Sequence, residues 1–201
     1  MRRINIFEAL LFAAVIKSAI AANTPSKPPP YLDIETFFKR LGQLWIIEAA
    51  TANAQVNTAC KLYDVTSVKN GNVYFGRIFY WKGKRAEKRL TGRLSVDLHP
   101  IVASLMKYQH VMRVSPSEEY PYEERLLYQS PAMDCGVFNV RSLRDRRLHI
   151  LSEFYELRLW NSSAVSPYKD CLKAYAALVP SGNVITTYYN PLCKNIVNGT
   201  T

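Results

Sequence analysis

The sequence has few of the residues and motifs on which enzymes and metal sites depend. Its three histidines, His99, His110 and His149, are scattered, and no serine or cysteine accompanies His149 in a known catalytic motif. There is no phosphate-binding loop and no dinucleotide fingerprint. No two cysteines stand close enough to form a C-x2-C zinc ligand pair. These absences predict a protein that is not an enzyme and that needs no cofactor or metal.

Long apolar runs are also missing. Residues 9–16 form a short apolar run that ends at Lys17, which is too short to span a bilayer. Two arginines precede this run, and Ala19-Ile20-Ala21 follows it, which is the order of a secretory signal peptide. We therefore expect a signal peptide over 1–21, a proline-rich linker over 22–32 and one exported domain over 33–201. The alternative is a soluble N-terminal helix.

Cysteine is scarce, and the sequence has only four: Cys60, Cys135, Cys171 and Cys193. In an exported chain an even count predicts two disulfides, and the sequence alone leaves three pairings open. Two glycosylation acceptors, at Asn161 and Asn198, fit the same extracellular setting.

Acidic residues are in short supply. The sequence has 26 Lys and Arg against 16 Asp and Glu, a net charge of +10. Such a charge favours anionic partners, for example polysaccharides or lipids. The basic residues cluster at 81–89 and 141–147, and each cluster is either a polyanion patch or a solvated hairpin end. Gly83 favours the hairpin end.

Most of the chain consists of short β-rich runs. Asp33 is expected to cap a short helix with an apolar stripe of Ile34, Phe37, Phe38, Leu41 and Trp45. Ser166-Pro167 is expected to begin a second helix, with Tyr168, Cys171, Leu172, Tyr175 and Leu178 as its apolar stripe. A last strand-like run covers 183–189. Strands are predicted near 44–50, 59–68, 72–80, 85–96, 109–114, 124–130, 135–141 and 152–160.

This layout predicts an all-β fold. Eight short strands between turn signals fit an antiparallel up-and-down barrel of the lipocalin type, with a short N-terminal helix and a C-terminal helix packed outside. The interior of such a barrel has room for one small ligand.

The last predicted strand has two unlike faces. Phe154, Glu156, Arg158 and Trp160 share one face, and Tyr155, Leu157 and Leu159 share the other because side chains alternate along a strand. Either the charged face lines a cavity, or the apolar face points inward and the charges meet water.

Several of these segments together resemble the tick salivary lipocalins, the histamine-binding protein family. The resemblance is carried by DCGVFNV at 134–140, YELRLW at 155–160, the helix with Cys171 and the late Cys193. It implies a secreted barrel that traps small host mediators. It also implies the disulfides Cys60–Cys193 and Cys135–Cys171, and a cavity lined by Phe138, Glu156, Arg158 and Trp160.

Two positions depart from the amine-binding pattern of that family. Gly136 stands where an aspartate is expected, and Arg158 stands where an aromatic residue is expected. Asp134 lies on the other face of its strand from Gly136 and does not replace the missing acid. A buried ammonium ligand needs carboxylates, whereas an arginine suits a ligand carboxylate.

These observations predict a secreted, monomeric, non-enzymatic protein that binds neither nucleic acid nor a membrane. The resemblance implies that it sequesters histamine or another biogenic amine and so helps to evade host defence. The residues favour an anionic lipid such as a leukotriene or fatty acid. The alternative is a surface inhibitor of a host complement or clotting protein, with a host protein or polyanion as its partner.

Overall fold

A computed structural model of the chain describes residues 32–52, 58–95, 111–115, 121–143, 153–160 and 168–194. All of them fall within the unit Tyr31–Thr201. The predicted signal peptide, the three histidines, Ser166-Pro167, and the acceptors Asn161 and Asn198 lie outside the described residues. The elements are α1 (Ile34–Phe38), β1 (Gly42–Thr51), β2 (Thr58–Lys69), β3 (Asn72–Trp81), β4 (Lys84–Ser95), β5 (Val111–Val114), β6 (Tyr122–Gln129), β7 (Cys135–Ser142), β8 (Glu153–Trp160), α2 (Lys169–Leu178) and β9 (Val184–Thr187), followed by a 3-10 turn at Pro191–Cys193.

The first eight strands form a closed antiparallel barrel. Each strand pairs with the next along the chain, and β1 pairs with both β2 and β8 to close the sheet. A bulge between Ile46 and Glu48 shifts the register of β1, and β9 adds to β1 from outside the barrel. The predicted all-β, eight-stranded barrel is confirmed, with each predicted strand within a few residues of its position.

Helix α1 closes one end of the barrel. The Asp33 carboxylate caps it by accepting hydrogen bonds from the backbone N–H and the hydroxyl of Thr36, as the sequence predicts. Phe37 is fully buried, and its ring centroid lies 5.5 Å from that of Phe138 and 5.7 Å from that of Trp160. These aromatic rings fill the barrel at this end.

The predicted apolar stripe of α1 is wrong beyond Phe38. The helix ends there because Leu41, with φ 54°, and Gly42, with φ 88°, turn the chain into β1. Leu41 is exposed, and Trp45 belongs to β1. Trp45 packs outside the barrel against Leu62, Cys193 and the ring of Tyr189.

Helix α2 packs against the outside of β7 and β8. The disulfide Cys135–Cys171 ties it to β7, and Tyr175 packs with Leu157 and Leu159 beneath it. The predicted stripe is only partly correct, because Leu172 is 40% and Leu178 is 37% exposed. Only one narrow line of helix residues contacts the barrel, and these two leucines lie beside that line.

The end of the described chain is tied to the barrel by the second disulfide, Cys60–Cys193. Both pairings are those that the resemblance implies. Trp45, Leu62 and Ile78 pack around this disulfide as a separate apolar cluster. Among the described residues, no helix has the length and apolar character to cross a membrane.

Candidate functional site

Strand β8 turns its charged face into the barrel. Glu156 and Arg158 are both 0% exposed, and their side chains meet residues of β2 and β6 across the interior. The alternative orientation is wrong, because Leu157 and Leu159 point outward and are covered by α2. The strand is therefore buried on both faces, and the charged residues occupy the inner one.

Arg158 is held by two carboxylates in the middle of the barrel. Its Nη1 lies 2.6 Å from Oε2 of Glu124, and its Nε lies 2.8 Å from Oε2 of Glu156. Glu124, on β6, is also 0% exposed. Sequence analysis missed this residue. The signal was present, because Tyr122, Glu124 and Leu126 alternate with Glu123 and Arg125, which places Glu124 on the apolar face of its strand.

Two aromatic rings complete the surroundings of this guanidinium. The Cζ of Arg158 lies 4.7 Å from the ring centroid of Tyr63 and 4.2 Å from that of Phe138. The Tyr63 hydroxyl donates a 2.7 Å hydrogen bond to Glu124. Carboxylates and ring faces are what a buried cation requires. The barrel thus contains a cation cage, and the chain's own arginine occupies it.

A second cation lies between this cage and the nearby cavity. The Nζ of Lys61, on β2, lies 2.6 Å from Oε1 of Glu156. The same nitrogen lies 5.3 Å from the ring centroid of Phe154 and 5.9 Å from that of Tyr188. Its side chain is 15% exposed, so Lys61 is the member of the cluster that reaches towards solvent.

The ion pairs keep both partners charged despite their burial. Burial by itself raises the pKa of Glu156, but Lys61 and Arg158 outweigh it and lower the pKa to about 2. Burial acts to lower the pKa of Arg158, but Glu124 and Glu156 overcome this and raise it above its ordinary value. Burial and Glu124 also raise the pKa of Tyr63, so its hydroxyl remains a hydrogen-bond donor.

A side chain at the position of the expected aspartate would be crowded in this packing. A Cβ at Gly136 would lie 3.1 Å from the backbone oxygen of Tyr128 and 3.2 Å from side-chain atoms of Leu126 and Phe138. Asp134 lies in the turn before β7, where it accepts a hydrogen bond from the Ser130 hydroxyl. Glu124 therefore supplies the second acid from another strand.

A cavity of about 540 Å³ lies at the end of the barrel opposite α1. Inward-facing side chains of β2, β3 and β4 form most of its wall, and three of them are cationic. None of the four predicted ligand-binding residues is among its described lining: Glu156 and Arg158 lie in the ion cluster, Phe138 covers Arg158, and Trp160 packs at the closed end. The described lining consists of Thr58, Lys61, Arg77, Phe79, Trp81, Ala86, Lys88 and Tyr188.

The described wall combines charged and apolar side chains. Lys61, Arg77 and Lys88 supply the positive charge, and Phe79 and Trp81 supply apolar area. The guanidinium of Arg77 lies 5.6 Å from the ring centroid of Tyr122, and its Nη1 donates to the Tyr122 hydroxyl over 3.3 Å. This arrangement suits a molecule with an apolar body and a negatively charged group.

Comparisons with known proteins support the fold rather than a particular activity. No family model matches the sequence, and no curated protein is similar enough to count as a relative. Solved structures do match. A structure described as an AM182 serotonin complex aligns with a TM-score of 0.57 at 13% identity, over 85% of this chain and 97% of that one. A bovine odorant-binding protein variant aligns with a TM-score of 0.54 at 13% identity, over 76% and 95%.

A siderocalin, Ex-FABP, gives a TM-score of 0.52 at 10% identity and covers 76% of this chain and 95% of its own. These three alignments show that the chain shares its overall fold with these structures. The closed antiparallel barrel, the outer strand and the two helices identify the chain as a protein of the lipocalin fold.

Proposed function

We propose that the protein binds and sequesters a small molecule with an apolar body and an anionic head, such as a fatty acid or a leukotriene. The observation that carries this proposal is the charge of the cavity wall. Lys61, Arg77 and Lys88 stand around a cavity of about 540 Å³ whose remaining wall includes Phe79 and Trp81. Cationic side chains in the wall of a cavity attract a carboxylate.

The inner ion cluster supports the same choice. Glu124 and Glu156 are the acids that would receive an ammonium ligand, and Arg158 contacts both of them. Lys61 takes the remaining oxygen of Glu156. An amine that enters the cavity meets Lys61, Arg77 and Lys88 in its described lining, and like charges repel each other.

A biogenic amine is the second candidate, because the resemblance implies it and because the AM182 neighbour is described as a serotonin complex. The specific observation in its favour is the Lys61–Glu156 pair at the cavity wall, with Phe154 and Tyr188 beside the ammonium group. An amine would bind there by displacing Lys61.

Binding without catalysis agrees with the neighbours, which are described as an odorant-binding protein, a siderocalin and a serotonin complex. Two disulfides and no free cysteine among the described residues support export to an oxidising compartment. The proposed role is sequestration of a host mediator by the exported protein. The alternative, a surface inhibitor, does not require the cavity or its charged wall.

The proposal is tested by calorimetric titration of the oxidised protein at neutral pH with arachidonic acid, leukotriene B4 and histamine. We expect one-to-one binding of an anionic lipid and no heat from histamine beyond dilution. Lys88→Gln removes a cation from the cavity wall. Arg89→Gln removes the same charge from the exposed outer face of the same strand, and it is the matched control.

Lys88→Gln should weaken lipid binding about tenfold, as for the loss of one charge-assisted contact, whereas Arg89→Gln should leave it unchanged. Tight histamine binding, or equal effects of the two variants, would overturn the anionic-ligand proposal. Failure of every small molecule to bind would move the search to protein targets.

A further inference from the structure

Lys61 faces the cavity because β2 carries a bulge just before it. Thr58 and Lys61 both line the cavity, although they are three residues apart and a regular strand places only every second residue on one face. The register of β2 against β3 shifts between Ala59 and Leu62, and Cys60 has a φ of 51°. A bulge of this kind redirects a side chain. Here it brings Lys61 to the inner face of the barrel, where it meets β8.

The surroundings of the Lys61 ammonium group are those that an ammonium ligand would need. Oε1 of the fully buried Glu156 lies 2.6 Å from Nζ, and the ring centroids of Phe154 and Tyr188 lie 5.3 Å and 5.9 Å from it. A buried carboxylate and aromatic faces are the groups that bind an organic cation. We call Oε1 of Glu156 and the rings of Phe154 and Tyr188 the ammonium niche.

Residues other than Lys61 hold the ammonium niche in place. The backbone N–H of Cys60 donates a 2.8 Å hydrogen bond to the carbonyl oxygen of Tyr188, which fixes that residue beside β2. Nε of Arg158 donates to Oε2 of Glu156 over 2.8 Å, which orients the carboxylate and leaves Oε1 for another donor. The niche should therefore persist when Lys61 is replaced by a side chain without charge.

Lys61 uses only part of its capacity to donate hydrogen bonds. An ammonium group has three N–H donors, and Glu156 is the only hydrogen-bond partner that the described part of the chain provides for them. The Lys61 side chain is 15% exposed and lines the cavity. Its remaining donors can therefore bind the anionic group of a ligand while the ion pair with Glu156 stays intact. Arg77, by contrast, already donates to the Tyr122 hydroxyl.

We propose that Lys61 determines the charge of the ligand. It occupies the ammonium niche as a competitor that belongs to the chain itself, so a free amine reaches Glu156 only by displacing it, and it offers its remaining donors to an anionic head. An attached group competes at an effective concentration of roughly millimolar, which disfavours a dilute amine. This role of Lys61 rests on the proposed function, because an anionic ligand is what its remaining donors would bind.

The test compares two variants that each remove one positive charge from the wall of the same cavity. Lys61→Met empties the ammonium niche, whereas Lys88→Met removes a cation of β4 and leaves Lys61 in place. Phenethylamine, its neutral analogue 2-phenylethanol and arachidonic acid are titrated calorimetrically into each oxidised protein at neutral pH. The melting temperature of each variant, with and without phenethylamine, serves as the control for folding.

We expect Lys61→Met to bind phenethylamine about tenfold or more tightly than the unmodified protein does, because the ligand supplies the donor that Oε1 of Glu156 has lost. Its affinity for 2-phenylethanol should not rise, and Lys88→Met should gain affinity for neither. Adding Glu156→Gln to Lys61→Met should abolish the gain, because the niche then lacks its negative charge. If Lys61→Met melts at a lower temperature, phenethylamine should raise that temperature in this variant alone.

An equal gain for 2-phenylethanol, or an equal gain of amine affinity in Lys88→Met, would overturn the role of Lys61, because apolar area or the loss of any cavity charge would then explain the result. The absence of a gain, with lipid binding weakened equally in both variants, would overturn it as well and leave the proposed function standing. Failure of the unmodified protein to bind the lipid would overturn the proposed function instead, and the amine titrations would still decide whether Lys61 occupies an ammonium site.

Discussion

Arg158 decides what the interior of the barrel accepts. Its guanidinium lies between the rings of Tyr63 and Phe138 and contacts the carboxylates of Glu124 and Glu156. These are the groups that would bind a cationic ligand. The cage is therefore occupied by a side chain of the protein itself, and the negative charges of its two carboxylates are already balanced. A ligand is left with the cavity beyond Lys61, whose described wall includes the cationic side chains of Lys61, Arg77 and Lys88.

Emptying the cage should convert it into a binding site for small cations. Arg158→Ala leaves Glu124 and Glu156 without the cation that they share, which should cost on the order of 3–5 kcal/mol of stability. Millimolar methylguanidine should raise the melting temperature of this variant, because it restores the missing charge between the two rings. Differential scanning fluorimetry of the variant and the unmodified protein measures the effect.

The control for this rescue is Arg113→Ala, which removes an arginine from the outer surface. It should melt at the same temperature with and without methylguanidine. An equal rise in all three proteins would mean that the additive acts on the surface and that the cage does not bind it.

Glu156 should make the protein sensitive to acid. Its pKa is lowered from 4.5 to about 2 in the folded state, against the effect of burial, by Lys61 and Arg158. A depressed pKa stabilises the fold at pH values above the unfolded pKa of 4.5, and this contribution is lost as the pH falls towards 2. Urea unfolding between pH 7 and pH 2 should therefore show a loss on the order of 3 kcal/mol from this group.

Glu156→Gln provides the comparison. The variant should be less stable than the unmodified protein at neutral pH, because Lys61 and Arg158 lose a charged partner. The difference in the free energy of unfolding between the two proteins should shrink as the pH falls through the range in which Glu156 takes up a proton. A constant difference from pH 7 to pH 2 would contradict the assigned shift.

The sequence predicted half of this site. Alternation along β8 placed Glu156 and Arg158 on one face, but which face points inward depends on α2, whose Cys171 and Tyr175 cover Leu157 and Leu159. Glu124 and Lys61 contact Glu156 and Arg158 from strands distant in sequence. Such contacts depend on the register of the closed barrel, and local patterning does not encode them.

At the scale of elements, turns and strands followed local rules closely. The β2–β3 turn has Asn70 at φ 54° and Gly71 at φ 69°, and the β3–β4 turn has Lys82 at φ 49° and Gly83 at φ 77°. Consecutive positive φ values suit tight hairpins and favour Asn70, Gly71 and Gly83. Helix ends were less predictable, because apolar spacing alone continued α1 through Leu41 to Trp45, whereas the barrel required a strand there.

The two disulfides should differ in their contribution to stability. Cys60–Cys193 spans 133 residues and Cys135–Cys171 spans 36. Since a longer loop loses more entropy when it is closed in the unfolded chain, removing Cys60–Cys193 should cost about 1 kcal/mol more. Paired Cys→Ala variants, compared by urea unfolding under oxidising conditions, measure the difference.

Hydrogen exchange should separate the local effects of these variants. Loss of Cys135–Cys171 should speed exchange in α2, which contacts the barrel along one narrow line. Loss of Cys60–Cys193 should leave α2 protected and speed exchange near Tyr188, whose backbone N–H bonds to Ile47. Faster exchange of α2 in both variants would contradict this division.

The whole barrel is arranged in three layers along its axis. Aromatic rings from α1, β7 and β8 fill one end, the ion cluster of Arg158 occupies the middle, and the cavity with its cationic wall lies at the other end. The ion cluster is thus the floor of the binding space. Ligand length is limited by this floor, since the space beyond it is packed.

This limit predicts how affinity depends on ligand size. In a series of saturated fatty acids from 8 to 18 carbons, each methylene that enters the cavity should strengthen binding by about 0.8 kcal/mol, or roughly fourfold. The gain should stop once the chain fills the cavity of about 540 Å³. Ala86→Leu narrows the cavity and should move this plateau to shorter chains, whereas Thr91→Leu, on the outer face of the same strand, should leave it in place. Affinity that keeps rising to 18 carbons in both variants would show that the ligand binds elsewhere on the protein.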